Sequence, residues 1–250
     1  MALIINGKPH DDERLDGLDI SEGKPFKTHG THDKTCAVIH ESAGDDPVAG
    51  MLRKGLGCPI VIHTDGKVTI HGDIRDVMWH APRANYHGVG IEMTNIYTPR
   101  TGAIIPAGAT IISAPWAWAP KGSAREYIVP PLVQLTACAT IVDVLTSASW
   151  DGVQIPRTWN AVEDGIFPLS CSSGHWPPPA GISGHYHSEP TKGHPKTPRR
   201  ADGPVVALFC YLVLEQGLRP DTAREMAMAM ASKGQCKRVG GVWYADVGGV

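Results

Sequence analysis

The segment from Pro59 to His71 constrains the fold more than any other part of this 250-residue chain. Two runs rich in β-branched residues, Pro59–His63 and Lys67–His71, flank the tripeptide Thr64–Gly66. An Asp-Gly pair between two such runs is a strong short-range signal for a β-hairpin, because glycine accepts the positive φ that a tight turn requires. The sequence therefore predicts an antiparallel pair of strands at this point.

Three other short apolar stretches carry residues that bind metal ions or move protons. The run CAVI delivers His40 at its end, the run VGIEM contains Glu92, and a short strand beginning at Ile182 leads to His185. An unpaired carboxylate inside an apolar strand is costly, so Glu92 is expected to have a partner or a chemical task. Imidazole and carboxylate are the ligands that zinc takes when thiolates are not used, and a catalytic zinc needs three ligands and an open position for water. The segment 182–204 therefore predicts one half of a metal site, and His40 the other half.

Periodicity and capping signals predict the remaining elements. An N-terminal segment, 1–34, is polar and interrupted by Gly, Pro and His, which favours a surface extension before the first core strand at Thr35–His40. The regions 97–121 and 146–181 are rich in turn residues, which predicts a long loop or two short strands in the first and loop-like structure in the second. Apolar spacing, prolines and glycines predict helices over 48–54, 132–145 and 204–214, a helix that Asp221 caps and Gly234 stops, and a final strand near 242–244.

Composition and charge exclude several classes of partner. The chain is 42% hydrophobic, enough for one substantial core, and a single domain is favoured. A net charge of −2 with a pI near 6.6 gives no basic field for nucleic acid or an anionic membrane. No apolar run is long enough to span a membrane and the N-terminus lacks signal-peptide features, so a soluble cytoplasmic product is expected. Six scattered cysteines without a CxxC pair predict neither a zinc knuckle nor a disulfide framework, and most are expected to be small core residues.

Together these segments resemble one family, the zinc-dependent type-2 N-acetylmuramoyl-L-alanine amidases, which includes phage endolysins and cell-wall recycling enzymes and is related to peptidoglycan recognition proteins. The resemblance runs from about Thr35 to Leu218. It rests on motifs in the family's order: CAVIHESAG, the hairpin IVIHTDGKVTIHGD, Trp79-His80-Ala81, the strand GVGIE that ends at Glu92, the pair Gly184-His185, and the run Arg200-Ala201-Asp202-Gly203-Pro204.

The resemblance implies an α/β fold with a central, mostly mixed β-sheet, flanking helices and long active-site loops. It implies an N-terminal extension over 1–34, a zinc amidase domain over 35–218, and a C-terminal helix and tail over 219–250. The zinc ligands it implies are His40, His185 and Asp202. His185 lies 17 residues before Asp202, whereas the family usually leaves about ten or fewer, so His194 stays open as the second ligand and His187 as a weaker third.

The same resemblance implies the chemistry. Glu92 assists catalysis, Arg200 occupies the place of a family lysine, and either Arg200 or His80 contacts the oxyanion or the substrate. The expected reaction is zinc-dependent hydrolysis of the amide between N-acetylmuramic acid and L-alanine, with peptidoglycan or a muropeptide as partner. The expected setting is an endolysin released at host lysis, or otherwise a cytoplasmic recycling enzyme. A non-catalytic peptidoglycan-binding module and a zinc peptidase using His185 and His187 are the alternatives.

Overall fold

The computed structural model describes residues 2–42, 47–81, 84–99, 104–117, 124–147, 150–159, 166–169, 180–185, 203–239 and 242–248. The described helices are α1 (Pro47–Lys54), α2 (Leu132–Ser147), α3 (Pro204–Leu214) and α4 (Pro220–Ala231), with a single 3₁₀ turn at Glu13–Leu15. The described strands are β1 (Leu3–Ile5), β2 (Lys8–His10), β3 (Ile20–Glu22), β4 (Cys36–Glu41), β5 (Ile60–Ile62), β6 (Val68–Ile70), β7 (Gly88–Met93), β8 (Thr110–Ser113), β9 (Glu126–Val129), β10 (Ile166–Pro168), β11 (Gly181–Gly184), β12 (Lys237–Val239) and β13 (Val242–Asp246).

Six strands form the central mixed sheet, in the order β11-β4-β7-β5-β6-β3. The first four are parallel neighbours, β5 and β6 are antiparallel, and β3 is parallel to β6. With helices packed beside this sheet, the protein has the predicted α/β class. The smaller sheets are β1-β2, β8-β9 and β10-β13-β12.

The β5–β6 hairpin confirms the prediction from Asp65 and Gly66. Gly66 has φ of 86°, its N–H donates to the His63 carbonyl at 2.9 Å, and the Asp65 carboxylate accepts the N–H of Lys67 at 3.0 Å. Glycine meets no Cβ penalty at this φ, so the turn closes without strain. The antiparallel register pairs Ile62 with Val68, as the two flanking runs require.

The two faces of the sheet are covered by different elements. Along β4, Ala37 and Ile39 lie in the main core with residues of α2 and α3, whereas Val38 packs in a separate cluster with Ala81 and Ala84. This division follows from the period of two in a strand, which sends alternate side chains to opposite faces. His40 shares the parity of Val38, so it belongs to the face covered by the segment after β6. We call this the His40 face. Val61 and α1 lie on it too, because Val61 pairs with Glu92 and packs against Met51 of that helix.

The predicted surface extension over 1–34 is wrong for part of that segment. Leu3 and Ile5 are fully buried in the main core, and β3 extends the central sheet by pairing Ile20 with Val68. The apolar residues of this segment do not follow a strand or helix period, yet most of the described ones are buried: Ala2, Leu3, Ile5, Leu15, Ile20 and Phe26. The boundaries at 35 and 219 stay predictions.

The other predicted elements agree with the structure, with local differences. Strand β8 lies within the region 97–121, which was predicted to hold a long loop or two short strands. Its partner, β9, lies beyond that region. Strand β10 lies within the region predicted as loop and pairs with β13. The helix α4 begins at Pro220, so Arg219 is its N-cap and Asp221 lies in its first turn. The five cysteines in the described part of the chain are free and buried, as expected of core residues: Cys36, Cys58, Cys138, Cys210 and Cys236.

Candidate metal centre

Three predicted site residues form a row across adjacent parallel strands. The register pairs His40 of β4 with Glu92 of β7, and it pairs Gly184 of β11 with Ile39, which brings the next residue, His185, beside His40. The ring centroids of His40 and His185 are 4.4 Å apart with a 42° angle between the rings. This separation is close to the spacing of neighbouring strands, so the sheet itself brings the two imidazoles together. All three side chains are buried, each with at most 8% of its surface exposed.

His80 reaches the same place from the segment that follows β6. Its Nδ1 lies 2.9 Å from Nε2 of His40, and the two rings are nearly perpendicular at 86°. The Asn85 side-chain oxygen accepts the backbone N–H groups of His80 and Ala81, both at 2.9 Å, which fixes the turn carrying the imidazole. The structure therefore adds a third histidine to the row.

The side chain of a buried lysine, Lys34, holds this turn from the protein interior. The ammonium of Lys34, with 1% of the residue exposed, donates to the carbonyls of Asn85 at 3.4 Å and Tyr86 at 3.2 Å. Burial lowers the pKa of Lys34 to about 8. The lysine thus closes the loop that holds His80 while carrying a charge that the interior disfavours.

Gly90 makes room for the cluster on the His40 face. A Cβ atom at this glycine would lie 2.7 Å from Cys58 Sγ, 2.9 Å from His80 Cγ and 3.1 Å from His80 Nδ1. Contacts shorter than 3.0 Å require a neighbour to move, so any larger residue would displace the thiol or the imidazole. Gly90 is therefore needed for close packing rather than for its backbone conformation.

Cys58 lies two residues before the start of β5 and joins the cluster through this gap. Its Sγ, Nε2 or Nδ1 of His40, and a ring nitrogen of His80 all lie within 4.8 Å of one another, and Sγ is 3.9 Å from Glu92 Oε2. Burial, followed by the neighbouring Glu92 carboxylate, raises the pKa of the Cys58 thiol well above its usual value. As a free thiol it is protonated and donates to Glu92.

Burial also determines the charge of the histidines. Desolvation, followed by the nearby His185 and His80, lowers the pKa of His40 well below its ordinary value. Desolvation, with the Lys34 charge next, lowers the pKa of His80 to about 3. Both rings are therefore neutral at neutral pH, which is the form that ligates metal ions.

A carboxylate on the opposite face connects this site to helix α3. Glu41, the last residue of β4, accepts hydrogen bonds from Asn95 Nδ2 at 2.7 Å, from the backbone N–H of Gly203 at 2.6 Å, and from the Tyr127 hydroxyl. A Cβ at Gly203 would lie 2.8 Å from the Ile39 carbonyl oxygen, and the glycine has φ of 91°. Gly203, which follows Asp202 in the sequence, is therefore held tightly against the end of β4.

Several predicted residues lie outside the described part of the chain: Asp202, His194, His187 and Arg200. Of the predicted set, the structure brings together His40, His185, Glu92 and His80. Sequence reasoning missed Glu41 and Cys58. The signal for Glu41 was present, since it is a second acid within a buried apolar strand. Cys58 gave none, because its neighbours come from distant segments.

Comparisons with known proteins give structural likenesses at low sequence identity. No protein-family model matches the sequence, and no curated protein matches it. The N-acetylmuramoyl-L-alanine amidase LysC of Clostridium intestinale URNW is 19% identical with a TM-score of 0.26, over 30% of this chain and 57% of that one. The endolysin amidase LysCS of the same organism is 12% identical with a TM-score of 0.38, over 69% and 84%. A point mutant of Drosophila PGRP-LB in complex with tracheal cytotoxin is 14% identical with a TM-score of 0.38, over 69% and 86%.

Among the described residues, no helix is both long and apolar enough to cross a bilayer.

Proposed function

We propose that this protein is a zinc-dependent amidase that hydrolyses the bond between N-acetylmuramic acid and L-alanine in peptidoglycan. The observation that supports this most is the row formed by His185, His40 and Glu92, in which two imidazoles lie 4.4 Å apart and a carboxylate occupies the paired position on the next strand. The identity of the scissile bond rests on the sequence motifs that resemble the type-2 amidases.

The residues present fit a zinc ion. Zinc accepts imidazole nitrogen and carboxylate oxygen in a four-coordinate site, and a catalytic zinc keeps one position for water. His40 and His185 supply two buried imidazoles within reach of one ion. We assign Asp202 as the third ligand, since its neighbour Gly203 is anchored to the end of β4 by Glu41. When bound, zinc would polarise the amide carbonyl and lower the pKa of its water to about 7.

Glu92 is assigned as the proton carrier of the reaction. It lies in register with His40 on the neighbouring strand, so its carboxylate faces the side of the sheet that holds the ligands. A carboxylate in this position accepts the proton of the attacking water and delivers it to the amine that leaves, which preserves the proton balance of hydrolysis. Glu92 is buried, with 8% of the residue exposed.

The oxyanion that develops on the carbonyl needs a donor. Arg200 and His80 are the two candidates, and removal of one such donor typically costs a factor of about 10²–10³ in rate. His80 is fixed by its backbone hydrogen bond to Asn85 and by Nδ1 on His40, so its ring is held in one position. A fixed dipole beside the ligands requires no reorganisation during the reaction.

The test is product analysis with defined muropeptides. The purified full chain, loaded with one equivalent of zinc, is expected to release peptides with a free L-alanine amino group, as read by mass spectrometry. A chelator is expected to stop this release, and added zinc to restore it. A peptide cut at another bond would indicate a zinc peptidase, whereas intact substrate that stays bound would indicate a binding module.

Single substitutions connect this activity to the site. His40→Ala is expected to lose bound zinc and activity, and His185→Ala is expected to lose activity. His63→Ala is the matched control, since His63 is a half-buried histidine of the β5–β6 hairpin whose ring bonds Thr69 at 3.0 Å. Equal zinc content in His40→Ala and the unmodified protein would refute the assignment of His40.

A further inference from the structure

We propose that His40, Cys58 and His80 form a second metal-ion position, next to the proposed catalytic one and competing with it for His40. The ion it would take is a zinc-class divalent cation that accepts both sulfur and nitrogen. We call this group the thiol position. Its binding property does not depend on the proposed amidase activity, whereas its effect on turnover rests on that proposed function.

The geometry of the ligand atoms carries this proposal. Nε2 of His40 and Nδ1 of His80 are 2.9 Å apart, and one ligand atom from each of the three residues lies within 4.8 Å of the others. Metal–nitrogen bonds of about 2.0–2.1 Å and metal–sulfur bonds of about 2.3 Å place ligand atoms of one zinc ion roughly 3–4 Å apart. The three side chains therefore need only small movements to close on one ion.

The surroundings of the three residues support a built site. His40 and Cys58 are buried, at 3% and 0% exposure, and Gly90 provides the gap that lets the thiol and the His80 ring meet. Three separate segments deliver the ligands: β4, the segment leading into β5, and the turn after β6 that Asn85 and Lys34 hold. A ligand set carried by anchored segments is already organised before the ion arrives.

Glu92 lies beside the set. Its Oε2 is 3.9 Å from Cys58 Sγ, so a shift of this carboxylate toward the three residues would supply a fourth ligand. Two imidazoles, one thiolate and one carboxylate would then close a tetrahedral shell, which is typical of an inert zinc site because no position stays free for water. On binding, the S–H bond of Cys58 is replaced by a sulfur–metal bond and one proton is released to solvent; no oxidant or reductant is needed.

Occupation of the thiol position is expected to lower turnover. An ion bound there takes His40 away from the catalytic ligand set and engages the carboxylate of Glu92. The reaction then lacks both a zinc ligand and its proton carrier. Zinc beyond the first equivalent is therefore expected to inhibit the enzyme, and removal of the thiol is expected to relieve this inhibition.

The experiment is a cobalt(II) titration of the chelator-treated full chain, followed by absorption spectroscopy. Thiolate coordination to Co²⁺ produces an intense charge-transfer band in the near ultraviolet that imidazole and carboxylate ligands do not give. The unmodified protein and His185→Ala are expected to show the band. Cys58→Ser is expected to lose it. Cys138→Ser is the matched control, because Cys138 is equally buried but its Sγ lies 4.0 Å from Cys210 Sγ in the helical core.

Each outcome decides the proposal. Absence of the band in the unmodified protein, or its persistence in Cys58→Ser, would overturn it. Loss of the band in His185→Ala but not in His80→Gln would assign the thiol to the catalytic ion and also overturn it. If Cys58→Ser does not fold, His80→Gln and His185→Ala still separate the two positions.

The activity measurement is kept apart from the binding measurement. Amide hydrolysis by the unmodified protein is expected to fall at least severalfold as zinc rises from one to several equivalents, and to fall much less in Cys58→Ser. A chain without amidase activity that still shows the cobalt–thiolate band would refute the proposed function and leave the thiol position supported.

Discussion

The substitution Glu41→Gln tests whether one buried carboxylate holds the two halves of the proposed zinc site together. In the folded protein the carboxylate accepts one hydrogen bond at Oε1, from Asn95, and two at Oε2, from Gly203 and Tyr127. Glutamine has the same shape but offers one acceptor oxygen and an NH₂ group. If the glutamine oxygen still accepts the hydrogen bonds from Gly203 and Tyr127, the glutamine NH₂ group faces the NH₂ group of Asn95.

Asn95 cannot turn its amide to resolve this conflict without a further loss. Its Nδ2 also donates to the carbonyl of Ile128 at 2.8 Å, and the side chain is fully buried. One hydrogen bond to a charged acceptor is lost and two others lose their charge assistance. Hydrogen bonds to charged groups contribute about 1.5–3 kcal/mol each, so we expect a loss of about 2–4 kcal/mol in the free energy of unfolding.

Urea unfolding monitored by circular dichroism measures this change, and zinc content measures its effect on the site. Tyr127→Phe is the control, because it removes one donor from Glu41 but leaves the bond to Gly203. It is expected to lower the free energy of unfolding by about 1–2 kcal/mol and to keep full zinc content. Glu41→Gln is expected to lose zinc as well. A change of less than about 0.5 kcal/mol in Glu41→Gln would refute this role of the carboxylate.

Three further substitutions test the roles of Glu92, Gly90 and Lys34. Glu92→Gln is expected to keep bound zinc but lower the rate of amide hydrolysis by a factor of about 10²–10⁴, and near-normal turnover would rule out its role as proton carrier. Gly90→Ala is expected to cost about 1–3 kcal/mol in urea unfolding, because its Cβ would meet Cys58 Sγ at 2.7 Å; unchanged stability would contradict the packing. Burial lowers the pKa of Lys34 from 10.5 to about 8, so between these values the unfolded chain binds the proton more strongly and stability rises with pH. The rise is expected to total about 3 kcal/mol and to disappear in Lys34→Met, and an equal rise in that variant would assign it to another group.

The sequence predicted the strands that carry the site better than the edge strand β3. The apolar runs at β4 and β7 are continuous because both faces of these central strands are buried, and such runs stand out from their polar flanks. Strand β3 lies at the edge and has the burial pattern of one buried, one half-buried and one exposed residue. A three-residue strand of this kind has no periodic signal, since only its pairing with β6 makes it a strand.

The residues of the candidate site also differ in whether the sequence alone could predict them. His40, Glu92 and His185 were found because each one follows or interrupts an apolar run, where a polar residue is conspicuous. Cys58 was not, because a lone cysteine beside a proline has the appearance of a core residue. Its proximity to His80 depends on the absence of a side chain at Gly90, a contact between three segments that no local spacing encodes.

The register of the parallel strands determines whether these residues form a site at all. His40 and Glu92 face the same side only because they are paired, and a slip of one residue between β4 and β7 would send one of them to the face covered by α2 and α3. That opposite face is filled by the main apolar core, where an uncompensated carboxylate or imidazole is costly. Burial of Ala37 and Ile39 therefore favours the same register that brings His40, His185 and Glu92 together. The apolar core selects the geometry of the candidate metal centre, and Glu41 then fixes the start of α3 to the end of β4.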